Sequence, residues 1–356
     1  MNNPFSTTFG LEPSNYIKRI KETDLIVSEF SSESISNYVY IITGLRGSGK
    51  TVLMSAIANH FMKDDGWVVV DPGPKDNILE NVASEIYETV KLKKLFVKGE
   101  FSFSFQGLTF SLKGNEPVST VNTLLKRMLT YLKKKNKRVL ITIDEVDNSK
   151  EMKLFIQAYQ SLLRLGYPVF LLMTGLYENV SKLQEDKSLT FLYRAPKIDL
   201  GPLNLNSIAV SYGEHLNIEP ERALAYAVFT NGYAYAYQVL GYLLYDRQKK
   251  EMDKMLIAEF DQYMTDYVYD KLYSELSEKE QKFLFNFKDS KPIKISELIK
   301  ESGLDDKTIS VYRSRLIKKG ILTSPKYGYL QLTLPRFDNF LMLHRIITGT
   351  AIQKYF

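Results

Sequence analysis

The chain has 356 residues, no cysteine, three histidines and a net charge of +6. This length allows two or three domains, and the absence of cysteine excludes disulfides and thiolate metal sites and fits a reducing cytosol. Because no apolar run approaches the roughly 18–20 residues of a membrane span, and residues 1–14 lack the regions of a signal peptide, we expect a cytoplasmic globular protein without a membrane partner.

In chain order, the first half of the sequence alternates apolar runs with helical periodicity. Strands are predicted at residues 38–42, 67–70, 139–143, 169–174 and 198–200. Helices are predicted at residues 17–30, 51–62, 77–95, 118–135 and 152–165. Residues 101–112 alternate phenylalanine with polar residues and turn at Gly107, which predicts an inserted hairpin. The alternation of strands and helices predicts an α/β fold with a mostly parallel sheet covered on both faces.

The second half is predicted to be helical from residue 206 to residue 287. Tyrosine and alanine dominate residues 223–245, and we expect these tyrosines to pack between helices rather than to stack on bases. In the tail, Ser277 and Glu280 have the spacing of a capping box. The tail's remaining predicted elements are helices at residues 295–301 and 305–319 and strands at residues 321–323 and 329–333. This order predicts a C-terminal winged helix-turn-helix domain.

The strongest motif lies in residues 38–54, which match the pattern G-x-x-x-x-G-K-[ST] between a predicted strand and a predicted helix. Glycines let successive amides face one concavity, and the helix N-terminus adds partial positive charge, so such a loop suits phosphate groups. We expect Lys50 to bridge the β- and γ-phosphates of ATP, and Thr51 to hold Mg²⁺. The predicted nucleotide-binding residues of this motif are Gly44, Leu45, Arg46, Gly47, Ser48, Gly49, Lys50, Thr51 and Val52. For Arg46, a surface or subunit contact is favoured over catalysis.

A second nucleotide signal is the run VLITIDE at residues 139–145, an apolar strand that ends in two acidic residues. Downstream of a phosphate-binding loop, this is a Walker B pattern. We expect Asp144 to bind Mg²⁺ and Glu145 to orient and deprotonate the attacking water.

Two polar residues further along the chain are candidate catalytic residues. Thr174 ends the next predicted strand, where it could contact the γ-phosphate or the attacking water, or could cap the following helix. Arg194 follows a predicted helix and loop, where it could reach the phosphates of a neighbouring subunit as an arginine finger. The arginine-finger role of Arg194 requires a homo-oligomer or a partner protein.

Basic residues are concentrated in the tail. Over residues 291–326, nine lysines and arginines against four acidic residues leave a charge of +5, the electrostatic footprint of a phosphate-backbone binder. On the second tail helix, Ile309, Tyr312 and Leu316 are expected to face the core. The predicted contacts to double-stranded DNA are Lys307, Ser310, Arg313, Ser314, Lys318 and Lys326. A winged helix that contacts protein remains the alternative, and the basic run at residues 133–138 is interpreted as a solvated helix end.

With these residues in place, the chain resembles the AAA+ superfamily, and within it the bacterial AAA ATPases often found on mobile elements. These are related to the origin-recognition initiators and to the archaeal-type, STAND-like ATPases. The resemblance covers nearly the whole chain. It rests on the blocks NPFSTTFGLEP, GLRGSGKT, ITIDEVD, LMTGL, FLYRAPKIDLGPL and NGYAYAYQVLGYL and on the C-terminal winged helix.

The resemblance implies a P-loop NTPase core of αβα layers, an all-α lid and a winged helix behind it. The implied domains are residues 1–203, with an N-terminal segment 1–37 and a hairpin insertion 101–113, then 204–275 and 276–356. It also implies that the segment containing Phe9 and Pro13 helps to enclose adenine. Two departures from the family lead us to expect slow hydrolysis: the lid block 232–238 has no arginine, and Thr174 stands where asparagine is commoner.

Two hypotheses of function follow from this resemblance and these motifs. The first is an ATP-binding, slowly hydrolysing AAA+ switch that binds DNA through its winged helix, so that nucleotide state gates DNA engagement or assembly. The second is a STAND-type regulatory or defence scaffold whose winged helix contacts protein. A weaker third reading is an ATPase partner of a transposase or recombinase.

Overall fold

A computed structural model of the chain describes residues 3–8, 13–73, 76–89, 102–105, 108–111 and 121–348. The chain divides into two compact units. The first unit consists of Met1–Arg19, Gly44–Gly49 and Leu200–Phe356, and the second consists of Ile20–Thr43 and Lys50–Asp199. Residues 1–19 thus group with the C-terminal half, whereas the sequence assigned them to the ATPase core; the predicted domain boundaries stay predictions. Among the helices in the described ranges, none is both long enough and apolar enough to cross a membrane.

The strands of the second unit are β1 (Val39–Thr43), β2 (Trp67–Val70), the hairpin pair β3 (Ser102–Phe105) and β4 (Leu108–Ser111), β5 (Arg138–Ile143), β6 (Val169–Gly175) and β7 (Lys197–Asp199). Five of them form a parallel sheet in the order β2-β5-β6-β1-β7. The helices of this unit are α1 (Ile20–Ser31), α2 (Lys50–Met62), α3 (Ile78–Glu88), α4 (Val121–Lys134), α5 (Lys150–Arg164) and α6 (Tyr177–Gln184), followed by a 3-10 helix (Lys187–Arg194). The predicted P-loop NTPase fold is confirmed.

The central strands β1, β5 and β6 are buried on both faces of the sheet, because most of their residues are apolar. In β5, Val139 and Ile141 lie in a core cluster shared with α3, α4 and α5. Successive side chains of a strand point to opposite faces, so Leu140 lies on the other side. That side holds an aromatic cluster, in which Phe30 of α1 and Phe61 of α2 contact each other at 6.2 Å between ring centroids. The result is three layers, helix, sheet and helix.

The inserted hairpin is present, as predicted. β3 and β4 pair antiparallel with Ser102 opposite Ser111. Gly107, the flanks of the hairpin at residues 101 and 112–113, and the end of the predicted helix 77–95 beyond residue 89 lie outside the described residues.

The first unit contains a helical lid and a segment from the N-terminus. The lid helices are α7 (Leu205–Leu216), α8 (Pro220–Phe229), α9 (Ala234–Asp246), α10 (Lys254–Met264), a π-helical turn (Thr265–Tyr269) and α11 (Asp270–Ser274). Phe5 is 2% exposed and lies against α9, where a Cβ added to Gly241 would come within 2.4 Å of its ring. The Gln238 side chain accepts a hydrogen bond from the Ser6 amide at 2.9 Å and donates one to the Asn15 carbonyl at 2.7 Å. These contacts fix the N-terminal segment on the lid.

The last part of the first unit has the element order and strand pairing of a winged helix. It consists of α12 (Glu278–Leu284), β8 (Ile293–Lys294), α13 (Ile295–Ser302), α14 (Asp306–Lys318), β9 (Leu322–Thr323), β10 (Tyr329–Leu332) and α15 (Phe337–Thr348). β10 pairs antiparallel with both β8 and β9. The predicted capping box is present, because the Ser277 side chain accepts from the Glu280 amide and the Glu280 side chain accepts from the Ser277 amide. The sequence analysis missed β8 and α15.

The close approach of Phe5 to α9 predicts that Gly241→Ala lowers the free energy of unfolding by about 1–3 kcal/mol, because the added methyl group overpacks a buried site. Gly213→Ala is the matched control, since Gly213 is also helical and the nearest atom to its added Cβ is 3.9 Å away. The free energy of unfolding of the control variant should rise by about 0.5–1 kcal/mol, because alanine has a better helix propensity than glycine. Urea denaturation of the two variants measures both changes, and equal effects would contradict the packing of Phe5 on Gly241.

Candidate functional site

Polar side chains collect at the carboxyl ends of β5 and β6. These strands pair with Ile143 opposite Met173, so Asp144 and Thr174 emerge next to each other. The Thr174 hydroxyl donates a short hydrogen bond to Asp144 Oδ1 and accepts one from the Glu145 amide at 3.0 Å. Thr174 is 0% exposed. It does not cap α6, whose N-cap is Leu176.

The two predicted Mg²⁺ ligands lie in direct contact. The Thr51 hydroxyl in the first turn of α2 donates to Asp144 Oδ2 at 2.9 Å. A hydroxyl and a carboxylate held together suit Mg²⁺, which binds oxygen and keeps much of its shell from water and substrate phosphates. No cluster of three or more His, Cys, Asp or Glu side chains that could hold a metal occurs in the described ranges.

Glu145, the predicted general base, has an unusual backbone. Its φ of +52° lies in the left-handed region, which is uncommon for residues other than glycine. Its amide donates to Thr174 Oγ1 at 3.0 Å and to Asp144 Oδ1 at 3.1 Å, which holds this conformation. The Glu145 side chain is exposed and is therefore accessible to a water molecule.

Two more carboxylates belong to this end of the sheet, and the sequence analysis did not identify them: Asp71 interacts with the charge of Asp144, and Glu85 contacts Asp71. Asp71 follows β2, and its amide donates to Glu85 Oε2 of α3 at 2.6 Å. Burial, partly opposed by that hydrogen bond, raises the pKa of Glu85 to about 7. The pKa of Asp71 is also raised: partial desolvation by its neighbours is the largest cause, the hydrogen bond from the Gly73 amide opposes it, and the charge of Asp144 adds to the increase. A strand end followed by aspartate was the available sequence signal for Asp71.

Lys50 and Val52 belong to the second unit with Thr51. Lys50 is the first residue of α2 and is 8% exposed, so a buried ammonium group stands at a helix N-terminus. Val52 is half-buried. The positive end of the helix and the ammonium group of Lys50 both attract an anion, so this arrangement suits the binding of a phosphate group.

The remaining P-loop residues, Gly44–Gly49, belong to the first unit and contact the lid. The Tyr233 hydroxyl donates a short hydrogen bond to the Arg46 carbonyl, and the Tyr235 amide donates to the Gly47 carbonyl at 3.1 Å. Ser48 is 5% exposed, and among the residues that the structure describes its hydroxyl has no hydrogen-bond partner. The sequence predicted that the tyrosines of residues 223–245 pack between helices and that the lid block lacks arginine, but not that these tyrosines contact the P-loop.

Three predicted nucleotide-site residues remain to be placed: Phe9, Pro13 and Arg194. Phe9 lies outside the described residues, and Pro13 is half-buried in the first unit. Arg194 ends the 3-10 helix of the second unit with an exposed side chain, accessible to another molecule.

The predicted DNA-binding residues lie on α14 and on the turn between β9 and β10. Ile309, Tyr312 and Leu316 are buried, as predicted. The exposed members of the predicted set are Lys307, Ser310, Ser314, Lys318 and Lys326, while Arg313 is half-buried. The tip of the turn carries Tyr327, whose side chain is 99% exposed.

The raised pKa of Glu85 predicts a pH-dependent contribution to stability. Between the ordinary value of 4.5 and about 7, the folded protein keeps this proton and the unfolded chain loses it. The contribution is complete below pH 4.5 and is lost as the pH rises through about 7. The free energy of unfolding of the parent, relative to Glu85→Gln, should therefore fall between pH 4.5 and pH 8. Glu88→Gln, at an exposed position of α3, is the control, and identical pH profiles for the parent and Glu85→Gln would contradict the burial of this carboxyl.

Comparison with known proteins agrees with this geometry. Residues 21–184 match the family described as an ATPase domain predominantly from Archaea, and residues 266–341 match a domain of unknown function, DUF8462. No curated protein sequence matches the chain.

Solved structures are similar to the chain in fold. The Walker-type ATPase PABY2304 of Pyrococcus abyssi is 12% identical with a TM-score of 0.65, and 92% of this chain and 96% of that chain are covered. The ORC2 protein of Aeropyrum pernix, in its ADPNP–ADP complexes, is 14% identical with a TM-score of 0.57, with 96% and 98% covered. The family match assigns residues 21–184 to an archaeal-type ATPase domain, and the sheet order and the similar solved structures show the fold of a P-loop NTPase, which is consistent with the AAA+ class.

Proposed function

We propose that the protein is an ATP-dependent switch that binds double-stranded DNA through its winged helix and hydrolyses ATP slowly. ATP is its substrate, with Mg²⁺ as the cofactor. The nucleotide state of the P-loop controls how the winged helix is held, and thereby gates DNA engagement or assembly.

One observation carries this proposal: the P-loop contacts the winged helix within the first unit. A Cβ added to Gly320, which follows α14, would come within 3.0 Å of Leu45 Cγ. Leu45 packs against the same hydrophobic core as Leu316 and Ile321. Leu45 stands inside the loop that receives the phosphates, so a movement of that loop on nucleotide binding changes the support of α14.

The side chains of the second unit supply the chemistry of hydrolysis. Lys50 neutralises charge on the β- and γ-phosphates, and Thr51 and Asp144 would hold Mg²⁺. The chemistry that this ion would supply is stabilisation of the negative charge that develops on the phosphate oxygens. Glu145 accepts the proton of the attacking water as general base.

Two features support slow turnover. The Thr174 hydroxyl is engaged with Asp144 and the Glu145 amide, so it cannot contact a γ-phosphate without giving up a buried hydrogen bond. The lid block contributes tyrosines to the P-loop and no arginine. An arginine presented to the transition state is worth several powers of ten in rate, and exposed Arg194 is a candidate only within an assembly.

The DNA-binding part of the proposal is supported by charge and exposure. Five of the six predicted DNA contacts have exposed side chains, and the tail holds most of the net positive charge of the chain. Lysines and arginines that neutralise phosphates release counterions, so affinity for duplex DNA falls steeply with salt.

A second candidate function is a regulatory scaffold in which the winged helix contacts protein. It is favoured by the ion pair that ties the C-terminal part to the lid: Arg336 Nε donates to Asp261 Oδ1 at 2.6 Å, and Arg336 Nη2 donates to Asp261 Oδ2 at 2.6 Å. Such a bidentate pair fixes orientation strongly. If the protein is such a scaffold, it should have no measurable, salt-dependent affinity for duplex DNA.

Variants of the two Walker motifs test the nucleotide chemistry. Lys50→Ala should abolish ATP binding, because it removes the buried positive charge at the P-loop. Glu145→Gln should retain ATP binding and lose hydrolysis, because an amide cannot accept the proton of water. Filter binding and single-turnover phosphate release measure the two steps. Glu151→Gln, an acidic position on α5, is the control; hydrolysis by Glu145→Gln at the parent rate would refute its role as base.

Charge reversal on α14 tests the DNA interface. The triple variant Arg313→Glu, Arg315→Glu and Lys318→Glu should abolish binding of duplex DNA under conditions where the parent binds. Single reversals should each reduce the slope of log affinity against log salt by about 1. A triple reversal at Lys126, Lys134 and Lys135 on and after α4 makes the same change in net charge and is the control. Parent-like affinity in the α14 variant, measured by fluorescence anisotropy, would favour the scaffold function.

A further inference from the structure

Three successive carbonyls of the P-loop accept hydrogen bonds from outside the loop. Tyr233 donates from its hydroxyl to the Arg46 carbonyl, and Tyr235 donates from its amide to the Gly47 carbonyl at 3.1 Å. The Arg19 guanidinium donates to the Ser48 carbonyl at 3.2 Å. All of these residues belong to the first unit.

A fixed carbonyl also fixes the amide that follows it, because the peptide group is planar and trans and its C=O and N–H point in opposite directions. Holding the Arg46 and Ser48 carbonyls outward therefore directs the amides of Gly47 and Gly49 to the other side. The Ser48 amide donates within the loop, to the Leu45 carbonyl at 3.2 Å. Phosphate-binding loops depend on amides that converge on the anion before it arrives.

The fit between the lid and the loop leaves no room for a side chain at Gly47. Its φ is +72°, and a Cβ added there would come within 2.5 Å of Tyr233 Oη and 3.0 Å of Tyr235 Cβ. Tyr233 and Tyr235 are each 6% exposed, so the contact is buried. Burial raises the pKa of the Tyr233 hydroxyl, which keeps it protonated and able to donate at every physiological pH.

We propose that Tyr233 and Tyr235 are positioning residues that hold the P-loop carbonyls from the lid side and thereby set the loop amides for phosphate. This inference rests on the nucleotide binding proposed above. The two tyrosines stand in the lid block that lacks an arginine. They act on the loop rather than on the nucleotide, through neutral donors that need no counter-charge.

Tyr233→Phe tests the role of the hydroxyl with almost no change of shape. Tyr212→Phe is the matched control, because the Tyr212 hydroxyl also donates from a buried lid position to a backbone carbonyl, that of Tyr237, at 2.8 Å. A typical net hydrogen bond corresponds to a change of about 3- to 10-fold in affinity. We expect Tyr233→Phe to weaken ADP binding by that factor and Tyr212→Phe to leave it unchanged, as measured by isothermal titration calorimetry.

A second measurement needs no nucleotide and separates this inference from the proposed function. In the apo protein, amides of the P-loop should exchange hydrogen faster in Tyr233→Phe than in the parent or in Tyr212→Phe, measured by mass spectrometry of peptides covering residues 44–51. If the parent binds no ADP, the proposed function fails and the exchange experiment still decides the inference. Unchanged P-loop exchange in Tyr233→Phe would overturn it.

Arg19→Ala provides a variant at the edge of the same contact, where loss of folding is not expected because the side chain is half-buried. It removes the donor to the Ser48 carbonyl, and it should raise exchange of the P-loop amides in the same direction as Tyr233→Phe. Exchange at the parent rate in Arg19→Ala would contradict the positioning of the loop through its carbonyls.

Discussion

The parallel pairing of β5 with β6 fixes the polar end of the second unit, and the arrangement of its catalytic candidates depends on that pairing. Because Ile143 lies opposite Met173, the next residue of each strand, Asp144 and Thr174, meet at the same edge. One carboxylate is then shared by two hydroxyls, that of Thr174 and that of Thr51. Because both hydroxyls donate to the same half-buried carboxylate, the three side chains form one hydrogen-bonded network and are coupled.

Much of the fold follows from local pattern. β2 begins and ends where the apolar run of Trp67 to Val70 predicts, and the capping box at Ser277 predicts the start of α12. β8 has only two residues, and its pairing partner lies far along the chain in β10, so no local period indicates it. Phe5 likewise packs against Gly241, a contact between distant residues that composition and periodicity cannot reveal.

Some residues of the candidate site could likewise be predicted from local sequence, and others could not. The Walker residues are predictable because phosphate and Mg²⁺ chemistry demands particular residue types at fixed spacing. The partners of Thr174 depend on strand register, and the sequence left its role open between two alternatives. The contacts of Tyr233 and Tyr235 with the P-loop could not be predicted, because no sequence motif marks a tyrosine hydroxyl or a backbone amide that donates to a distant carbonyl. Glu85 joins the site only through the fold, which brings α3 to the end of β2.

The contact between Leu45 and Gly320 has a consequence for how such a chain can diverge. Gly320 has a φ of +76° and is tightly approached by Leu45, so a side chain there would be strained and would also displace the P-loop residue. The C-terminal module is therefore not freely exchangeable between relatives. A chimaera would have to supply both a glycine at this turn and a residue at position 45 that fits against it.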